Sequence, residues 1–291
     1  MYEELLELLE KRYKDGEIDK ENYDELKERY AQKLDGVKKD FEIHQEASQI
    51  YTSGVKVMTN GSLSVAGSTR ISGGEVLKDI RIAGSGKIDS DVICNQLKVA
   101  GSLKSSGNIT ARGDVRASGS FKSAGFLRTD KDAKFSGSAK IDEETIVQGR
   151  LTVAGSFKCD ENVQAVVGVK FAGSSNIAGS LLSQGTVEIE GKTQIAENLV
   201  GGDVSINKSK ESLFLRRKKL SKSEIGKDVF ATGDLYIANT EVNGDVKGLS
   251  VELGPYTKVN GIVYYVERLD IDRKVELANE PIKISREKLQ L

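Results

Sequence analysis

The sequence predicts a mainly β fold, a β-solenoid preceded by a short helical hairpin, and three observations carry that prediction. From Gly101 to Gly191 a glycine recurs every sixth residue, missing only at Lys131, Glu143, Glu161 and Val167. Two and four residues after these sites stand apolar residues such as Leu103, Ile109, Phe121, Val153 and Ile177, and between them stand Lys104, Arg116, Lys122, Lys140 and Lys158. In, out, in is the period of a β-strand, and a glycine, having no Cβ, lets the chain bend between strands. Residues eighteen apart also alternate in size: Leu103, Phe121, Ala139, Phe157, Ser175. Three strands closing a triangular coil of about eighteen residues, with coils about 4.8 Å apart, would stack these residues as close packing favours. A short period held this long means that each unit buries its apolar side only against its neighbours.

Residues 1–40 differ from all that follows, with only Gly16 and Gly36 among many Glu, Lys, Leu and Tyr. Leu5, Leu6, Leu8, Leu9 and Tyr13 make one helical stripe, and Ile18, Tyr23, Leu26, Tyr30 and Leu34 a second. Gly16 ends the first helix and Asp19 caps the next. Leu5, Leu8 and Leu9 are the candidates for association through this hairpin. Residues 41–53 read as a linker, and 54–266 as the solenoid. Gly84-Ser85-Gly86 reads as a corner joining longer strands where residues 74–100 lose the six-residue step. Val200-Gly201-Gly202-Asp203-Val204, Val242-Asn243-Gly244-Asp245-Val246 and Val259-Asn260-Gly261-Ile262-Val263 read as three versions of one corner. Residues 267–291 read as a tail or a cap.

Two further features are basic. An insert over 207–227 carries Arg216, Arg217, Lys218 and Lys219 beside Leu213, Phe214 and Leu215, a pattern that reads first as a solvated loop and otherwise as a dock for anionic lipid or nucleic acid. Lys104, Lys122, Lys140 and Lys158, eighteen apart, are expected to form one column on an outer face. Such a column discourages edge aggregation or faces an anionic partner.

The formal net charge of −1 gives no overall pull toward nucleic acid or an anionic membrane. No apolar run approaches the ~18 residues of a spanning helix, and the acidic start lacks a signal-peptide pattern. The mature chain is therefore expected to begin near Met1 and to reside in the cytoplasm, with membrane association through the basic loop as an option. Cys94 and Cys159 form no disulfide framework, and Cys159 takes an inward position. His44, the one histidine, lies in the linker, so a Ser or Cys nucleophile in the coil lacks its usual partner.

The glycine hexads and the closing segment from Val242 to Tyr264 resemble the bactofilins, polymer-forming β-helical proteins of the bacterial cytoskeleton. The resemblance spans roughly residues 54–266. It implies a right-handed triangular β-helix that assembles end to end, without nucleotide or other cofactor, into scaffolding filaments. Bactofilins are usually shorter and have disordered tails, so the hairpin, the basic insert and the C-terminal segment are departures. Residues Leu9 to Lys27 resemble oligomerisation modules of the SHOCT type.

Enzyme readings fare worse. Hexapeptide acyltransferases want an aliphatic residue before the glycine-like site, where this chain has Ser106, Arg112, Ser118 and Asp130. β-Helical lyases and hydrolases need paired acids; Asp142 with Asp160, and Glu143 with Glu161, are the candidates here. In Gly84-Ser85-Gly86-Lys87, Ile88 replaces the hydroxyl of a phosphate loop. The expectation is thus a non-enzymatic scaffold whose partner is itself, with an anionic membrane surface or another protein met through the hairpin or loop and no small-molecule substrate. Its candidate polymer interface is Val251, Leu253, Val259, Ile262 and Tyr264 at the closing coils. The alternative is a monomeric or capped β-helical protein that holds an anionic partner.

Overall fold

The structure is a computed structural model of the 291-residue chain. It describes Lys20, Lys27, the backbone of 55–57, and residues 62–76, 78–208 and 222–289. The chain divides into Met1–Gln49 and Ile50–Leu291. In the first unit Lys20 and Lys27 are helical and exposed; the rest of the expected hairpin, including Leu5, Leu8 and Leu9, lies outside the described residues.

The second unit is a parallel β-solenoid of about twelve coils. One coil illustrates the rest: the strand Val115–Ser123 bends at Gly119 and so supplies two sides, A (115–118) and B (121–123), while Leu127–Thr129 supplies side C. Each side pairs in parallel with the same side one coil on, Val115 with Ala133 and Leu127 with Thr145. In the last two coils the continuous strands, Val246–Leu253 and Val263–Ile271, span sides C and A instead.

Inside, Leu103, Phe121, Ala139, Phe157 and Ser175 form one column, so each large ring lies between smaller neighbours of its own side. Phe135 and Phe171 of side A interleave with Phe121 and Phe157 of side B. The ring centroids are 5.1, 6.3 and 5.5 Å apart along this series. All four rings are buried, and each contributes about 1.5–3 kcal/mol by leaving water.

The glycines serve two different ends. At the A–B corner Gly67, Gly84, Gly101, Gly119, Gly137, Gly155, Gly173 and Gly191 stand one above another with φ from 96° to 138°. From Gly84 onward an added Cβ would also lie closer than 3.0 Å to the carbonyl oxygen of the glycine one coil before. Further along, Asn207, Asn239 and Tyr256 take left-handed backbone in place of glycine. At the other two corners glycine instead makes room for an acceptor. Asp91 Oδ1 accepts from Asn108 N–H (2.8 Å), and Asn108 Oδ1 from Phe126 N–H (3.1 Å). Asp132 Oδ1 likewise accepts from Arg150 N–H (2.8 Å). A Cβ on Gly107, Gly125 or Gly149 would collide with these oxygens. Turn N–H groups that no neighbouring strand pairs are thereby satisfied coil after coil.

Several expectations need correction. Gly84 does not join two strands; it is the A–B bend inside Ile80–Ile88. The six-residue step is lost nearby because Gly67, Gly84 and Gly101 are seventeen apart rather than eighteen. The first shortening falls between Ile71 and Gly74, the second between Cys94 and Leu97, and neither falls at the A–B corner. The three Val–Gly–Val segments are two corners, not one. Gly202-Asp203 turns from C to A, whereas Asn243-Gly244-Asp245 and Asn260-Gly261-Ile262 turn from B to C. Lys222 and Ser223–Ile225, expected in the basic insert, are back on the coil, where Ile225 pairs with Ile195. Arg216 to Lys219 lie outside the described residues. Parallel pairing also runs beyond Val266: Glu276–Leu277 and Ile282–Lys283 extend sides B and C, so the expected tail forms the last coil.

Candidate assembly site

A stack of coils satisfies its backbone internally except at its two ends, where strand edges are left over. At the N-terminal end part of that edge is occupied: Val55–Val57 pairs antiparallel with Leu63, Ser64 and Val65. At the C-terminal end, among the described residues, no strand pairs with the outer edges of 268–271, Glu276–Leu277 or Ile282–Lys283. The last coil also leaves its interior uncovered. Ile271 is 39% exposed and Leu269, Val275 and Leu277 are only partly buried, whereas Leu253, one coil inward, is 1% exposed. None of the residues of the 3-10 turn Arg286–Lys288 is itself buried.

The interface residues expected from the sequence therefore sit one coil short of the end. Val251, Leu253 and Val259 point inward and are roofed by Leu269, Ile271 and Leu277. Ile262 lies at the B–C corner with its N–H on Asp245 Oδ1 (2.8 Å). Tyr264 faces outward on side C, paired with Ile282, with the Lys247 ammonium 5.8 Å from its ring centroid. The last coil escaped notice because charges interrupt it: Arg268, Asp270, Asp272, Arg273 and Lys274 flank its apolar residues. The signal was alternation alone, Leu269 and Ile271 two apart and Leu277 near the coil period from Val259.

The lysine column lies on side B, each lysine paired in register with the next, and begins earlier with Arg70 and Lys87. Its members fare differently. Arg70 and Lys87 share Asp89. Lys140 binds Asp142 and reaches Asp160 at 3.6 Å, while Lys158 holds Asp160 at 2.6 Å. The hydrogen bond to Asp142 raises the Lys140 pKa, and that from Lys158 lowers the Asp160 pKa. The stacked acids Asp142 and Asp160 are thus cross-linked by lysine, and no metal-binding group of three or more His, Cys, Asp or Glu occurs among the described residues. Lys104 and Lys122 join no ion pair among the described residues. Further along the same side the column turns acidic at Glu224 and Glu241. Hydrogen bonds from Lys258 and Lys222 hold the Glu241 carboxyl down at about 2.

The thiols offer no nucleophile. Burial, with Asp79 adding to it, pushes Cys94 up to about 12, and burial raises Cys159 as well. For Cys94 that leaves about a thousandfold less thiolate than an ordinary cysteine at pH 8. A chromogenic disulfide reagent is expected to label neither thiol in the folded protein and both in guanidinium. Rapid labelling without denaturant would contradict the buried assignment. On side A a shallow cavity of about 380 Å³ is lined by Ser205, Lys208, Tyr236, Glu252 and Arg268, among others. Compared with protein-family models, curated proteins and solved structures, the chain matches none.

Proposed function

We propose that this chain is a bactofilin-like scaffold subunit, wound right-handed as parallel crossovers are, which polymerises end to end without nucleotide. The observation that carries the reading is the last coil, where unpaired strand edges coincide with half-uncovered Leu269, Ile271 and Leu277. Stacking a further coil there offers hydrogen-bond partners and apolar cover together, and each aliphatic side chain has part of about 1.5–3 kcal/mol still to gain. On this reading the N-terminal unit and the basic insert bring the filament to a partner or an anionic membrane surface. Negative-stain electron microscopy of the full chain in nucleotide-free buffer tests it. Filaments are expected, with a subunit rise near the ~55 Å that twelve coils span. Discrete particles at all concentrations would defeat the reading.

Lys104 and Lys122, cations without ion pairs among the described residues, support the second reading, a binding protein for an anionic partner. Discrete particles that bind anionic vesicles, with loss of binding in Lys104→Glu with Lys122→Glu, would favour it.

A further inference from the structure

We propose that side A is an interface between two copies of this chain lying side by side and antiparallel, a contact that goes beyond end-to-end stacking and does not depend on it. The outward column of side A is divided by charge. Numbering coils from the one that opens at Leu63, the column in coils 2 to 7 carries Arg81, Lys98, Arg116, Lys134 and Lys170 and no acid. In coils 8 to 12 the column itself carries Glu188, Glu252 and Asp270, with Lys208 beside Tyr236 and Arg268 3.9 Å from Glu252 as the neighbouring cations. Arg81 and Arg116 are tied to Asp79 and Asp114, whereas Lys98 and Lys134 join no ion pair among the described residues.

Turning one copy end over end sets coil 5 against coil 8, coil 2 against coil 11 and coil 3 against coil 10. Lys134 then meets Glu188, Arg81 meets Glu252, and Lys98 comes opposite Tyr236, over whose ring the chain's own Lys208 already lies at 5.1 Å. Glu188 spends only Oε2 on its own Lys170. At the dyad Thr152 meets Lys170, so no two residues of the column itself set like charges against one another. Parallel copies would instead set each cation against itself, which is destabilising. The size suffices: a face about 55 Å long and about 13 Å wide buries about 700 Å² per copy, about 1,400 Å² in total, within the range of stable interfaces.

Sedimentation of the full chain carrying Ile271→Lys and Leu277→Lys, to remove end contacts, tests the pairing apart from polymerisation. A dimer is expected at about 50 mM salt that dissociates by about 0.5 M, because screening shortens with ionic strength. Adding Glu188→Lys and Glu252→Lys should raise its Kd at least tenfold, and adding Arg81→Glu and Lys134→Glu to those should restore it. Oxidation should cross-link two copies in the double variant Lys98→Cys, Tyr236→Cys and not in Lys98→Cys alone. The charge-reversal and cysteine positions point outward, and circular dichroism confirms folding of every variant, those at Ile271 and Leu277 included. A dimer indifferent to both salt and charge reversal, as association through 1–40 would give, overturns the proposal. So does a monomer at every concentration, or a cross-link through Lys98→Cys alone.

Discussion

Inserting one residue after Gly119 is expected to abolish the cooperative melt of the solenoid's centre, while the same insertion between Lys208 and Lys222 leaves the melting temperature nearly unchanged. The difference follows from a period of two. One extra residue before Ser120 moves Ser120 and Lys122 to inward positions and turns Phe121 to solvent, because alternate side chains leave opposite faces. Phe121 is fully buried and packs tilted against Phe135, with ring centroids 5.1 Å apart. Losing such a ring costs about 3–5 kcal/mol, and an unpaired lysine inside costs several more. Together these match the whole stability of an ordinary domain, about 5–15 kcal/mol. The coils cannot relax independently, since each buries its interior only against its neighbours. The strands Val204–Ile206 and Ser223–Ile225 already tolerate a long connection between them at the same corner. Thermal melts of both variants by circular dichroism decide the matter, and equal melting temperatures would sink the argument.

Ile271→Lys together with Leu277→Lys is expected to eliminate filaments while leaving a folded, soluble subunit. Both residues belong to the last coil, so a charge there disturbs no coil beyond it. Ile271 is already 39% exposed, and its replacement should cost the subunit at most about 1–2 kcal/mol. For a docking coil the cost is larger, because two ammonium groups would have to leave water without partners. Filaments of unchanged length under the electron microscope, from a variant with unchanged circular dichroism, would refute end stacking through this coil. The pair originally indicated by the sequence, Ile262 and Tyr264, makes a useful contrast. Tyr264 faces outward on side C and Ile262 sits at a corner, so their replacement by lysine should leave end joining intact.

Much of the coil was legible because its chemistry is local and repeated. Glycine at a left-handed corner and alternation within a strand each leave a mark in the sequence, and together they placed Phe121 over Leu103 in advance. What misled was period without phase. Gly202 and Gly244 share neighbours in the sequence, yet they turn different corners because the corner identity depends on counting coils from a fixed point. The end of the solenoid was hidden for a related reason: a terminal coil meets water on one side, so its composition drifts toward charge and its alternation fades. The division of charge along side A was missed because it appears only when residues sixteen, seventeen, eighteen or thirty-one apart are brought into one column, as Ser205, Tyr236 and Glu252 are.

The stacked left-handed glycines from Gly67 to Gly191 have a consequence for how the coils that carry them can change size. The first two of these coils are a residue shorter than the five that follow them, and both omissions fall at the corners where an acceptor side chain, not a left-handed glycine, makes the turn. Growth or shrinkage is therefore quantised. A tandem duplication of one coil, some fifty-odd nucleotides of coding sequence, adds about 4.8 Å of length and hands the new coil the same neighbours as the old. The ends keep their surfaces whatever the number of coils between them, so the subunit's span can be reset in single steps without redesigning the joint.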